Sequence, residues 1–169
     1  MSYSIRLAFQ EDAKEVYRIL KTVAASVKDP AFFIEDTLAY VQSHIEEEGF
    51  ILIAMKENTM AAFFMIHIPK DLSGHLGLDV GMTPGDLKKS AVMDVVCVLK
   101  EHRGHGLQQI LLLDAEKECV SRGLHHALAT VHPDNAPSLK SFLKHGYTIK
   151  ATKEKYGGVL RHILYKKLL

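Results

Sequence analysis

Apolar and polar residues alternate at the start of the chain. Ile5, Leu7 and Phe9 fall on one side of a predicted strand over Ser4–Phe9. The period then lengthens. Over Gln10–Val27 the residues Ala13, Val16, Tyr17, Leu20, Val23 and Ala24 share one helical face, and Asp29-Pro30 breaks it. A second helix is predicted over Phe32–Glu48, with Phe33, Leu38, Val41 and Ile45 buried. Glu46, Glu47 and Glu48, followed by Gly49, close that helix. Carboxylates in a C-terminal turn oppose the helix dipole, so packing must hold this end. Phe50–Met55 and Met60–Ile68 read as a strand pair around the turn Lys56-Glu57-Asn58-Thr59, and Pro69 stops the second strand.

Residues 70–90 carry Gly74, Gly77, Gly81, Pro84 and Gly85 and show weak periodicity. Long irregular segments inside a compact domain are often functional. A short helix over Pro84–Ser90, capped by Thr83, shortens this one. Val92–Leu99 is a nearly unbroken apolar strand, which places it centrally in a sheet. Asp94 is its one charge. Arg103-Gly104-His105-Gly106 then leads into a helix over Leu107–Arg122, with Gly123 after it. The stripe Leu107, Ile110, Leu111 and Leu113 is assigned to the core, as is Cys119. A strand over Leu124–Val131 ends at Pro133. A helix over Asp134–His145 turns Leu139, Phe142 and Leu143 inward. Tyr147–Thr152 and Val159–Leu168 are strands around Tyr156-Gly157-Gly158, and the exposed edge of Val159–Leu168 offers a surface for pairing between subunits. The order β-α-α-β-β-β-α-β-α-β-β mixes hairpins with crossovers, so the sheet is mixed, with helices on both faces.

Composition changes this picture little. The chain has 169 residues, enough for a single domain over 1–169 that buries roughly 70% of its unfolded surface without a disulfide or metal staple. Hydrophobic residues at 47% rule out disorder as the main state. Lys plus Arg total 21 and Asp plus Glu 20, a balance that gives no bulk attraction to nucleic acid or anionic lipid. The longest apolar run, Met60–Ile66, is far short of the about 20 residues that span a bilayer. Met-Ser-Tyr-Ser-Ile-Arg at the start lacks an apolar signal core, and the two cysteines, Cys97 and Cys119, make no disulfide framework. A reduced cytoplasm is the expected compartment, with neither nucleic acid nor membrane as a partner.

The chemistry concentrates where Val95–Val98 runs through Leu99–His102 into Arg103-Gly104-His105-Gly106-Leu107-Gln108. Glycines let backbone N–H groups turn inward, and a helix start adds unpaired donors and a positive dipole end. Together they form a nest for phosphate or pyrophosphate, with Arg103 at its lip. A plain turn before a helix is the competing use of the same glycines. A dinucleotide fingerprint needs a small residue where Gln109 stands, and a P-loop needs a Gly-Lys-Ser/Thr that is absent.

Val98 through Gln108 resembles the acyl-CoA pyrophosphate loop of the GNAT acetyltransferase superfamily: Arg or Gln, two residues, Gly, one residue, then Gly or Ala. The pattern maps onto Arg103, Gly106 and position 108, where Gln108 replaces the small residue. His132-Pro133-Asp134-Asn135, followed by Ser138, Phe142, Gly146 and Tyr147, resembles the family's second conserved stretch. The resemblance implies a single mixed, mostly antiparallel sheet of about seven strands with helices on both faces. It implies acetyl-CoA as co-substrate, with no metal. Amides of Gly104, His105, Gly106, Leu107, Gln108 and Gln109 then meet the pyrophosphate, and Arg103 pairs a further phosphate. Val96, Cys97 and Val98 guide the pantetheine arm, and Asn135, Ser138 and Phe142 lie along the cofactor. The acceptor is a small-molecule or peptide amine that attacks the thioester directly.

That chemistry requires a proton acceptor for the amine, a donor for the oxyanion, and a fate for the thiolate. Val98 N–H is the expected oxyanion donor. Phe142 stands where many relatives carry a tyrosine acid, so the thiolate leaves unaided, or Tyr147, Tyr156, Ser138 or a water replaces that acid. Asp94 shares strand parity with Val96 and Val98. It is a base or an anchor for the acceptor ammonium on one reading, and a carboxylate at the wet end of a strand, or one paired with Lys or Arg, on the other. Tyr156 contacts the acceptor on one reading and only shapes a turn on the other. Cys97 has no paired His or Asp signature and is read as a small strand residue. His102 and His105 lie in the loop rather than on a helix face, and His125 and His126 point to opposite sides of a strand, so neither pair is a metal site. His67 and His132 end strands and are alternative proton relays. Monomer and homodimer remain open. A non-catalytic acyl-CoA-binding protein on the same fold is the competing function, motivated by Phe142 and Gln108.

Overall fold

The computed structural model describes residues 2–169. Seven strands form one sheet in the order β1-β2-β3-β4-β5-β7-β6. They are β1 (Ser4–Leu7), β2 (Gly49–Lys56), β3 (Thr59–His67), β4 (Ser90–Val98), β5 (His126–Val131), β6 (Thr148–Lys155) and β7 (Val159–Lys167). The helices are α1 (Ala13–Ser26), α2 (Leu38–Glu46), α3 (Pro84–Leu87), α4 (Leu107–Ser121) and α5 (Ala136–Lys144). The pairs β1/β2, β2/β3, β5/β7 and β6/β7 are antiparallel, while β4/β5 is parallel. The mixed, mostly antiparallel sheet expected from the sequence is therefore present. Among the described residues, no helix is long and apolar enough to cross a membrane.

The chain forms two compact units, and β4 and α4 contribute to both. The first runs to His67 and adds Asp94–Lys117, and the second holds Ile68–Met93 and Glu118–Leu169. In the first unit, Val16, Ile19 and Leu20 of α1 and Val41 of α2 pack with Ile51, Ile53, Phe63, Met65, Val95 and Cys97. Burying a side chain of this size is worth about 1.5–3 kcal/mol, so this layer fixes how α2 lies on the strands. In the second unit, Leu76, Val92, Leu128 and Ile163 form a smaller core.

Several expectations need correction. The second helix begins at Leu38, not near Phe32. Pro30–Phe32 is a separate 3-10 turn, capped by the Asp29 side chain accepting from Ala31 N–H at 2.9 Å. Phe33 is extended, and Thr37 Oγ1 caps α2 by accepting from Tyr40 N–H at 3.1 Å. The two caps outcompete the apolar period that ran through residues 32–37. Of the four residues expected to be buried on this helix, Val41 is; Phe33, Leu38 and Ile45 are half-buried, and His44 takes a buried place. On α4 the core side is Leu107, Leu111, Leu112, Ala115 and Cys119, whereas Ile110 and Leu113 are exposed. Phe9 and Leu143 are exposed as well.

Val159–Leu168 is not an edge. The β7 strand has β5 on one side and β6 on the other, so pairing between subunits through it is excluded. The edge falls to β6, whose Lys150, Lys153 and Lys155 blunt it. In the Gly-rich segment, a 3-10 helix over Leu76–Val80 ends at Gly81 with φ +74°. Thr83 caps α3 as expected, but the helix stops at Leu87 because Ser90 already begins β4.

Candidate active site

The alternation along β4 sorts its residues as the sequence implied. Val95 and Cys97 are buried in the first unit's core, while Asp94, Val96 and Val98 are half-buried. Past the strand, Leu99 N–H donates to Ala61 C=O at 3.0 Å, which pins the exit of the chain. A 3-10 turn over Lys100–His102 follows, braced by Tyr3 Oη at 3.1 Å from His102 Nδ1. Arg103 turns back, and its Nε donates to Val98 C=O at 3.2 Å. The arginine therefore ties the loop to the strand end, with its remaining guanidinium donors toward solvent.

Gly104 and Gly106 have φ +80° and +72°, a hand that costs an L side chain about 1–2 kcal/mol. A Cβ at either position meets nothing within 4 Å. These glycines are thus required by the backbone turn, and both face open space. The helical ladder of α4 begins with Ile110 N–H donating to Gly106 C=O at 3.0 Å. The amides of Leu107, Gln108 and Gln109 precede that bond and lie outside the ladder. Leu107 is buried and anchors the first turn, and Gln108 and Gln109 are half-buried. His105 is exposed, with Nδ1 3.1 Å from His102 C=O. Left-handed glycines feeding the N-terminus of a 15-residue helix make a cradle suited to an anionic group. The donor set fits a pyrophosphate.

Three residues absent from the sequence reading of the site gather near Asp94. Tyr40 Oη donates to Asp94 Oδ2 at 2.6 Å. Burial pushes the Asp94 carboxyl up, while the Tyr40 hydroxyl and the nearby His44 and His67 rings pull it down. Asp36, half-buried just before the Thr37 cap, is pushed up to about 7 by burial and by the charge of Asp94. His44 lies one turn after Tyr40, with Nδ1 2.7 Å from Tyr40 C=O and Nε2 2.8 Å from His67 Nδ1. The four-residue spacing of Asp36, Tyr40 and His44 is visible in the chain, but nothing local points it toward a strand 54 residues away. Burial pushes the Cys97 thiol far up, so it is not a nucleophile at neutral pH.

The remaining expected residues lie in the second unit. Asn135 occupies the N-cap position of α5, where its C=O accepts from Leu139 N–H at 3.0 Å and its side chain makes no capping bond. Ser138 is half-buried on the same helix. Phe142 is buried and meets the Tyr147 ring edge-on, with centroids 5.0 Å apart. Tyr156 itself adopts a left-handed φ of +52°, ahead of Gly157 and Gly158. It is exposed, its Oη is 3.1 Å from Thr130 Oγ1, and the Arg161 guanidinium lies 5.9 Å from its ring centre. His132 Nδ1 accepts from Asp134 N–H at 3.1 Å. His126 is held by Tyr165 Oη at 2.8 Å and lies 3.3 Å from Asp86.

Comparison with known proteins matches this arrangement. The model of the acetyltransferase (GNAT) family matches residues 8–147. The L-amino acid N-acetyltransferase AaaT of Escherichia coli (strain K12) is 32% identical over 91 residues, 53% of this chain and 54% of that protein. The chain thus spans about half the length of this curated relative. Two solved structures share the fold. One is yncA from Salmonella typhimurium with its cofactor acetyl-CoA, at TM-score 0.72 and 18% identity, covering 100% of this chain and 95% of that one. The other is the ribosomal-protein-S18-alanine N-acetyltransferase of Escherichia coli, at TM-score 0.73 and 15% identity, covering 99% and 94%. With a family model spanning most of its length, and a left-handed glycine loop set between a central strand and a long helix, the chain belongs to the acetyltransferase (GNAT) family.

Proposed function

We propose that this protein is an N-acetyltransferase that uses acetyl-CoA as co-substrate and an amine as acceptor. One observation carries the reading: Gly104 and Gly106, both left-handed and both facing open space, lead the chain that leaves β4 into the N-terminus of α4. Acetyl-CoA supplies an activated acyl carbon, whose bond to sulfur breaks as the acceptor nitrogen bonds to it. Everything else falls to the chain. Amides from Gly104 to Gln109 hold the pyrophosphate, and Arg103 adds a cation at the rim. Val96, Cys97 and Val98 offer backbone groups along β4, with Val98 N–H as the oxyanion donor.

Asp94 takes the proton that the attacking amine must lose. Its half-buried place beside Val96 and Val98 raises its basicity above that of a solvated aspartate, and the Tyr40 hydroxyl fixes one of its oxygens. This chain has no hydroxyl at Phe142, so the thiolate leaves without a proton from that position. Asn135, Ser138 and Phe142 keep the cofactor contacts implied by the family resemblance, and Tyr156 keeps the acceptor contact. The acceptor class is small-molecule or peptide amines. The named acceptors of the relatives, an L-amino acid and a ribosomal-protein alanine, bracket that class.

The test is thiol release from acetyl-CoA across a panel of amino acids, polyamines and short peptides. Asp94→Asn is expected to lower kcat by about 100- to 10,000-fold, the usual weight of a general base, with acetyl-CoA affinity unchanged. Equal loss of turnover and cofactor affinity would make Asp94 a structural residue. Tight binding of acetyl-CoA with no thiol release on any amine would instead favour a non-catalytic acyl-CoA-binding protein.

A further inference from the structure

His44, Glu48 and His67 are brought together by register. His44 lies in the last turn of α2, and Glu48 stands two residues past the helix end, where its N–H donates to Ser43 C=O at 2.9 Å. Gly49, the next residue, pairs with His67 across the β2/β3 ladder. The side chain that precedes the pair is therefore held beside the histidine that ends β3. One ring nitrogen from each histidine and one carboxylate oxygen of Glu48 lie within 4.8 Å of one another.

The proton positions on His44 follow from its partners. Its Nδ1 lies 2.7 Å from Tyr40 C=O, which can only accept, and Ser43 Oγ, 3.2 Å away, already donates to that same carbonyl. Nδ1 therefore carries the hydrogen, and Nε2 carries the lone pair. That lone pair points at His67 Nδ1, 2.8 Å away. A ring N–H anchored on a backbone carbonyl, with the other nitrogen free to donate electrons, is the arrangement adopted by metal-binding histidines. The surroundings call for a cation on separate grounds. Glu46, Glu47 and Glu48 crowd the negative end of α2, and among the described residues none of them pairs with a lysine or arginine.

We infer that His44, Glu48 and His67 form a divalent-metal site of the two-histidine, one-carboxylate type. Two imidazoles and a carboxylate suit Zn2+, Co2+ or Ni2+ better than Mg2+ or Ca2+. Tetrahedral zinc, with bonds of about 2.1 Å, holds its ligand atoms about 3.4 Å apart. The two histidine nitrogens need to open by only about half an ångström, and His67 must present its Nδ1 lone pair in place of a hydrogen. Glu48, half-buried at the chain turn, closes the third position, and solvent takes the fourth. The site needs neither acetyl-CoA nor an acceptor, so it stands or falls apart from the proposed activity.

The experiment is a titration of the full-length, chelator-stripped protein with Co2+, followed by Zn2+ and Mg2+. The expected result is one equivalent of Co2+, giving the intense visible bands of a low-coordinate site. Zn2+ displaces it, and Mg2+ does not. Zn2+ in hundredfold excess over its dissociation constant also raises Tm. Glu48→Gln and His67→Asn, both at half-buried positions, are each expected to weaken binding by at least about tenfold, since even outer-shell partners are worth that much. His162→Ala, in the second unit, leaves binding unchanged. A cobalt spectrum no different from the aqueous ion overturns the site. So does affinity unchanged in both Glu48→Gln and His67→Asn, which would leave His44 and His67 a simple hydrogen-bonded pair.

Discussion

Replacing Asp36 with asparagine is expected to stabilise the protein at alkaline pH and to do nothing at acid pH. Burial and the neighbouring Asp94 charge hold the folded-state pKa of Asp36 at about 7, against 3.8 for an unperturbed aspartate. A raised carboxyl pKa means that the folded state binds the proton more tightly than the unfolded chain does. The contribution is therefore fully favourable below pH 3.8, is lost as pH climbs toward 7, and stays lost above it. Three pH units correspond to an upper limit of about 4 kcal/mol at 1.36 kcal/mol per unit. Asp36 is only half-buried, and solvent screening cuts this to about 1–2 kcal/mol. Asparagine keeps the shape without the charge. At pH 8 the variant is expected to melt higher by roughly 2–8 °C for a chain of this size, while at pH 3.5 the two melting curves coincide. Thermal or urea unfolding at half-unit pH steps measures the difference directly. A difference that does not change with pH, or a variant less stable than the parent at pH 8, refutes the picture of two crowded carboxylates.

Tyr40→Phe removes the donor that helps keep Asp94 ionised. The acid limb of the kcat/KM profile is then expected to move to higher pH by about one to two units, the worth of a hydrogen bond to a charged group, and a stationary limb would detach Asp94 from proton removal. Gly106→Ala meets no protein atom and incurs only the left-handed backbone penalty of about 1–2 kcal/mol, a Tm loss of roughly 2–8 °C. If the open space beside Gly106 is where the pyrophosphate lies, acetyl-CoA affinity is expected to fall further than stability does. Calorimetry showing full affinity beside the lowered Tm would move the pyrophosphate elsewhere.

What could be read in advance was local. The period of α1, the apolar run of β4, the odd-even placing of Asp94 with Val96 and Val98, and the Gly104–Gly106 turn are each decided within a few residues. The failures were of two kinds. The start of α2 was misplaced because Asp29 and Thr37 caps override a continuing apolar period, a contest between two local signals. The position of β7 was misread because its place between β5 and β6 depends on a pairing order that runs out of sequence. No periodicity along Val159–Lys167 carries that information.

The residues around Asp94 belong to the second kind, and they explain why α2 is not simply a core helix. A half-buried carboxylate on a central strand, raised in pKa by desolvation, is unstable unless something supplies a proton or a donor. The partner sits on α2, and Val41 fixes where α2 lies by packing into the layer that also holds Val95 and Cys97. The same docking that brings the Tyr40 hydroxyl to Asp94 carries His44 to His67, because the two residues are one turn apart on one short helix. Moving the helix by one residue would abolish both contacts at once. Polar pairs on opposite sides of the Val41 anchor thus set the register of α2 more tightly than its apolar face alone, in which Leu38 and Ile45 are only half-buried. Asp94, the one charge of an apolar strand, and His44, a histidine buried on α2, are two ends of one constraint.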